Sequence, residues 1–126
     1  MKANKPGQYI HSKIVSVPND NKGDILILLS TDNFSKFSFE ATISKQINLD
    51  SIEYHIHKTV SDIHRSHPHI KPVIFLSYGA EFMTELNSKF EHTCSIEYNP
   101  AIADEIALPE AHALLNQITY NPGRNL

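Results

Sequence analysis

Three strand-like stretches follow one another before any helical pattern begins, and this constrains the chain more than any other feature. "QYIHSKIVSV" alternates, with Ile10, Ser12 and Ile14 on one face and Tyr9, Val15 and Val17 on the other. "PNDNKG" is a cluster of turn residues and predicts a hairpin loop. "DILILLST" is a continuous apolar run of the kind buried on both faces of a sheet. After a second turn at "DNFSK", "FSFEATIS" sets Phe37, Phe39, Ala41 and Ile43 against Ser38, Glu40 and Thr42, a third strand with one drier face. Short connections between successive strands predict an antiparallel meander.

The period then changes. Ile52, Ile56, Val60 and Ile63 recur at helical spacing, predicting a helix from about Ser51 to Arg65 that ends at "HPH". Asp50 followed by Glu53 reads as a capping box, with Leu49 stapled onto Tyr54. "KPVIFL" predicts a fourth strand, "GAEFMTELNSKF" a second helix with Phe82, Leu86 and Phe90 on one face, and "HTCSIEY" a fifth strand. Pro109 suits the first turn of a last helix, with Ala111, Leu114, Leu115 and Ile118 as its stripe. The order β-β-β-α-β-α-β-α predicts an α/β fold with a mixed five-stranded sheet flanked by helices, the ribonuclease-H-like topology. Doubly wound folds alternate from the start and do not open with a meander.

At 126 residues the chain has room for one domain, with a short arm over 1–7 and a tail over 119–126. No apolar run is long enough to cross a bilayer, and the start carries no export signal, so we expect no membrane partner. The single cysteine, Cys94, fits an intracellular compartment, nuclear in a eukaryote or cytoplasmic in a bacterium. Eleven Lys and Arg against 14 Asp and Glu give a net charge of -3, with the basic residues spread singly. Tight nucleic-acid binding runs on clustered cations that displace counterions, so any DNA contact is expected to be weak.

Several strings, taken in order, resemble the catalytic core of retroviral and LTR-retrotransposon integrases and their transposase relatives, nearest the copia-type branch. "KPGQYIHSKIVSVP" resembles the opening strand, where a Pro-Gly-aromatic lead-in precedes His-x-Asp or His-Ser-Asp. "ILILLSTDNFSKFSFEATIS" resembles the next two strands with their Asp-x-Phe-Ser-Arg-like turn. "FLSYGAEFMTEL" resembles the Ser-Asp-Asn-Gly-x-Glu-Phe signature that opens a helix, and "SIEYNP" the Tyr-x-Pro turn before the last catalytic residue. The likeness runs from about Pro6 to Pro100 and then fades.

The resemblance implies two-metal phosphoryl transfer, with three carboxylates holding a pair of divalent ions. Carried over, the first Asp falls on Ser12, the second on Ser77 and its Asn on Tyr78, while Gly79, Glu81 and Phe82 match; the third acid falls near Ala107. A neutral hydroxyl is a poor ligand for Mg²⁺ or Mn²⁺. The resemblance therefore implies a core without catalytic residues or cofactor, whose former cleft presents Tyr78, Gly79 and Glu81. Its expected role is protein interaction, self-association or weak DNA contact. The alternative is an active strand-transferase or nuclease using Mg²⁺ on rearranged acids such as Asp24, Asp104, Glu105 or Glu110.

Other residues have bland readings. A Ser12/Ser77 nucleophile pair lacks a base, because His11 points to the other strand face. Five of the eight histidines, His55, His57, His64, His67 and His69, crowd one segment. His57 and His64 could hold Zn²⁺ with His67 or His69, but the spacing is loose and no Cys helps, so we read a solvated helix end. Asp32 is expected to tighten its turn, Cys94 to be a small buried hydrophobe, and Glu81 to favour a helix N-terminus.

Overall fold

The computed structural model describes residues 1–18 and 23–105. The expected last helix from Pro109, the 119–126 tail and the middle of the first hairpin loop lie outside them. Strands β1 (Tyr9–Val17), β2 (Ile25–Asp32) and β3 (Thr42–Ser44) come first. Helix α1 (Leu49–Ser66), strand β4 (Val73–Leu76), a 3-10 turn (Ala80–Phe82) with α2 (Met83–Phe90), strand β5 (Ser95–Tyr98) and the short α3 (Pro100–Ala103) follow. The sheet has five strands in the order β3-β2-β1-β4-β5. β1 pairs antiparallel with β2 and parallel with β4; β2–β3 is antiparallel and β4–β5 parallel. The fold is thus α/β with a mixed sheet and helices against it. Among the described residues no helix is long and apolar enough to cross a membrane.

Register sorts the side chains. Ile10 stands beside Ile74, which stands beside Ile96, and Ile14 is paired with Leu28. This face meets the buried stripes of α1 (Ile52, Ile56, Val60, Ile63) and α2 (Leu86, Phe90) in the main core. Val17, Ile25, Ile27 and Leu29, with Val15 and Ala41, form a second cluster on the opposite face. The alternation read for β1 holds on both faces.

The third strand is shorter than its pattern. Ser38 bridges Thr31, with Asp32 N–H donating to Phe37 O and Phe39 N–H to Ser30 O, both at 2.9 Å. The regular ladder then resumes only at Thr42 opposite Leu28. Three steps along β2 are matched by four along its neighbour, so one extra residue forms a β-bulge. A bulge reverses the alternation beyond it. Thr42 is therefore buried and Ile43 is 46% exposed, the reverse of the expected faces.

Helix α1 starts earlier than its acidic pattern. Asn48, not Asp50, is the N-cap: its side-chain oxygen accepts from Ser51 N–H at 2.9 Å, and Ser51 Oγ accepts from Asn48 N–H at 3.0 Å. Ser51 thus takes the N3 role expected of Glu53, which is free to meet Lys89 at 2.6 Å. With Asn48 as the cap, the staple positions shift from Leu49 and Tyr54 to Ile47, packed against the main core, and Ile52, within it, and Tyr54 is left 61% exposed. The strand-to-helix turn after β4 pivots on Gly79, at φ 75, where a Cβ would sit 3.1 Å from Ile52 Cδ1. A side chain there meets both backbone strain and the core.

The outer edge of β5 is closed by a side chain. Asn87 on α2 accepts from Ile96 N–H at 3.1 Å and donates to Ile96 O at 3.0 Å, copying a neighbouring strand. Unpaired edges invite pairing with other chains. Replacing Asn87 by Leu keeps the volume and removes both bonds. We expect it to cost about 1–3 kcal/mol in urea unfolding and to raise concentration-dependent association in sedimentation; unchanged values on both counts would refute the edge-closing role.

Candidate functional site

On the face of the sheet that α1 covers, polar groups form a continuous chain. Ser12 and Ser30 are cross-strand partners, and Ser30 Oγ donates to Ser12 Oγ at 3.2 Å. Tyr78, from the turn after β4, brings its hydroxyl to 2.7 Å from Ser12 Oγ. His55, from the middle of α1, places Nε2 at 2.7 Å from Ser30 Oγ and Nδ1 at 2.7 Å from Thr42 Oγ1. With the Ser30 proton directed to Ser12, the Nε2–H tautomer of His55 closes the chain: Nε2 donates to Ser30 and Nδ1 accepts from Thr42. Each member is thereby satisfied, which is what permits a buried polar chain.

Burial sets the electrostatics. His55 has no exposed surface, and desolvation, helped by the Lys58 charge, lowers its pKa to about 3. Burial likewise pushes the Tyr78 phenol above its usual range, against the smaller effect of the Ser12 bond. Ser12 and Ser30 are 1% and 2% exposed, so a Ser30–His55 pair has the spacing of a nucleophile and base but no path for a substrate. The chain ties α1 to three strands.

His55 is the residue that sequence reasoning misplaced. It belongs to the buried stripe and not to the solvated helix end. The signal was present: His55 stands three residues after Ile52, in the same series as Ile56, Thr59, Val60 and Ile63. Among the other histidines, His57 and His69 are exposed, and His64 Nε2 is taken up by Ile70 O at 2.7 Å.

The two serines of the carried-over triad do not share a cleft. Ser77 N–H donates to Ser12 O at 3.1 Å, continuing the parallel ladder one step. Ser12 faces α1 with Leu76, so by alternation Ser77 follows Phe75 onto the other face. Tyr78 is also not on a cleft surface: it is 8% exposed and in the main core, where its hydroxyl meets Ser12. Gly79 forms the left-handed turn, and Glu81 is exposed in the first turn that follows.

On the face of Ser77 lie His11 and Lys13 of β1. His11 is buried; its Nδ1 donates to Ile102 O of α3 at 2.7 Å, and its Nε2 accepts from Asn33 at 2.9 Å. Burial lowers the His11 pKa, outweighing the Ile102 carbonyl and the Glu105 charge. Lys13 Nζ is 3.7 Å from Asp104 just after α3. α3 was absent from the sequence expectations, although Asn99 caps it, accepting from Ile102 N–H at 3.2 Å, and Pro100 opens it.

The acids of the alternative reading are dispersed. Asp24 accepts from Ser16 at 2.9 Å, Asp104 faces Lys13, and Glu105 is 3.4 Å from the Met1 amine. Ala107 and Glu110 lie outside the described residues. Among the described residues no three His, Cys, Asp or Glu side chains gather as a metal site. Asp32 tightens its turn as expected, accepting from Ser35 N–H at 3.0 Å and Ser35 Oγ at 2.7 Å. Cys94 is buried, just before β5, and its thiol is pushed up to about 11 by burial. The chain matches no family model and no curated protein.

His55 makes stability pH-dependent. The unfolded chain takes up a proton near 6.5, but the folded chain refuses it until about 3. The stabilisation by neutral His55 is therefore complete above 6.5 and is lost as pH falls from there, by about 1.4 kcal/mol per unit. From pH 6.5 to 5 we expect a loss of about 2 kcal/mol in urea unfolding. His11 adds in the same direction. In His55→Gln the slope should fall by about one proton; an unchanged slope would exclude His55 as the source.

Proposed function

We propose that this chain is a catalytically inactive, integrase-core-like domain of ribonuclease-H-like fold, used for protein contact or self-association with weak DNA contact at most. The observation that carries the reading is the strand order β3-β2-β1-β4-β5, a meander followed by two parallel additions beside β1. The quoted strings fall on it in sequence: the His11 string on β1, the Asp32 turn after β2, Gly79 after β4 and the Tyr98-Asn99-Pro100 turn after β5.

The positions of the lost acids support the same reading, with one correction. Counted from His11, the His-x-Asp motif reaches Lys13, one residue beyond Ser12. Lys13 and Ser77 then lie on one face at neighbouring strand positions, as two acids sharing metal ions must. An ammonium and a hydroxyl stand there, and Asp104 neutralises the ammonium across 3.7 Å. An ammonium has no lone pair to offer a metal and a neutral hydroxyl is a poor ligand for one, so this pair of side chains cannot hold divalent ions. Ser12 instead belongs to the polar chain under α1.

The test is activity and metal binding together. Purified protein should neither nick nor join labelled oligonucleotides with Mg²⁺ or Mn²⁺, and its affinity for duplex DNA should be weaker than about 1 µM at physiological salt, falling further as salt rises. Lys13→Asp combined with Ser77→Asp should increase Mn²⁺ binding, read by electron paramagnetic resonance of the free ion. Strand transfer by the unmodified chain, or Mn²⁺ held as well before the double substitution as after it, would defeat the reading.

A further inference from the structure

A groove of about 390 Å³ lies at the end of β1 away from Ser77, bounded by the lead-in arm, the turn after β2 and the last turns of α1. Gly7, Asp32, Phe37, Phe39, Asp62 and Ile63 line most of it. Its volume is that of a small-molecule site. The Thr31–Ser38 pairing sets its wall. Before the bulge, Phe37 and Phe39 share the face of Asp32 and Ser30, and their rings meet edge-to-face at 5.3 Å and 83°. Phe37 keeps 55% of its surface exposed beside this groove.

The floor is electrostatically incomplete. Asp32 is 2% exposed, and its carboxylate accepts from Gly7 N–H at 2.9 Å and from Ser35 N–H and Oγ. All three donors are neutral. Among the described residues no cation stands within ion-pair distance of it. The nearby ammonium groups are turned elsewhere: Lys36 to Asn33 O, and Lys58 to Ala41 O at 3.0 Å with the Tyr54 ring beside it. Buried charges are ordinarily paired. A second carboxylate, Asp62, lines the same groove, and its one ion pair among the described residues is with the exposed guanidinium of Arg65, at 3.5 Å. Exposed pairs of that kind are weak and exchangeable.

We propose that this groove binds an organic cation, an alkylammonium group with a short apolar body. Its charge meets the half-buried Asp62 carboxylate and, at the rim, the Phe37 and Phe39 rings, with the buried Asp32 charge behind the floor adding to the field, and its methylenes lie against Ile63. Two carboxylates supply charge, and the ring faces attract the same charge through their quadrupoles. A bare metal ion suits the groove less, since no third ligand gathers with the two acids among the described residues. The site is separate from the positions of Lys13 and Ser77 and stands whether or not the integrase-like reading does.

The experiment is a titration of the full chain with n-butylammonium, followed by amide shifts of Ser35, Phe37, Phe39 and Ser66 in ¹H–¹⁵N spectra, with n-butanol as the uncharged control. The amine is expected to give saturable shifts that weaken with salt, and butanol none. Phe37→Ala is expected to lower affinity about three- to fivefold, and Asp62→Asn several-fold, each with the rest of the spectrum unchanged. A blocked Gly-Lys-Gly peptide that shifts the same amides assigns the cation to a polypeptide side chain; a response to butylammonium alone assigns it to a free amine. Equal responses to amine and alcohol, no saturable shift, or full affinity in both variants would overturn the proposal.

Discussion

An imidazole with both nitrogens occupied in the dry space between helix and sheet is the constraint on which this structure turns. His55 reaches Ser30 on β2 and Thr42 on β3, and through Ser30 it reaches Ser12 on β1. Desolvating a ring of this kind is costly unless each polar atom finds a partner. The partners come from three strands, so α1 has one rotation and one height at which the account closes. A helix held only by Ile52, Ile56, Val60 and Ile63 would have more freedom to slide. The hydroxyls that make the chain possible stand in register because β1 and β2 pair Ser12 with Ser30, and Tyr78 seals the far end.

The same interplay of register and side chain governs the sheet's margins. The extra residue between Ser38 and Thr42 turns Thr42 inward to meet His55, while Phe37 and Phe39 stay on that same side. The bulge thus completes the polar chain while leaving the aromatic wall, set by the Thr31–Ser38 pairing, on the same side. At the other margin the Asn87 amide satisfies both outer backbone groups of Ile96. Beside β3, Lys58 donates to the carbonyl of Ala41, just before the strand.

The two faces of β1 do different work. The Ser12 face is sealed by α1. The His11 face gathers α3, Asn33 and, through Asn33, the Ala3 amide at 2.8 Å, so the lead-in arm and the segment after β5 are joined across one strand. On the integrase-like reading proposed here, this second face is where metal chemistry would have sat, and the Lys13–Asp104 pair now occupies it. The left-handed Gly79 and the buried Leu86 and Phe90 answer to backbone geometry and packing and not to the charges of that face.

The sequence by itself determined the periods. Alternation and helical spacing follow from backbone geometry, so five strands, two of the helices and the meander at the start were legible from residues a few positions apart. The Asn48 cap was missed because Asp50, two residues on, offered a competing local pattern with Glu53, and α3 because its Asn99-Pro100 start is too short to carry a period. Other features were decided only by tertiary structure: the bulge that turned Thr42 inward, the side of the sheet given to Ser12 and to Ser77, the reach of Asn87 to Ile96, and the burial of His55. Each depends on which distant atom stands opposite, and hydrogen bonding and desolvation act through space, where separation along the chain sets no limit.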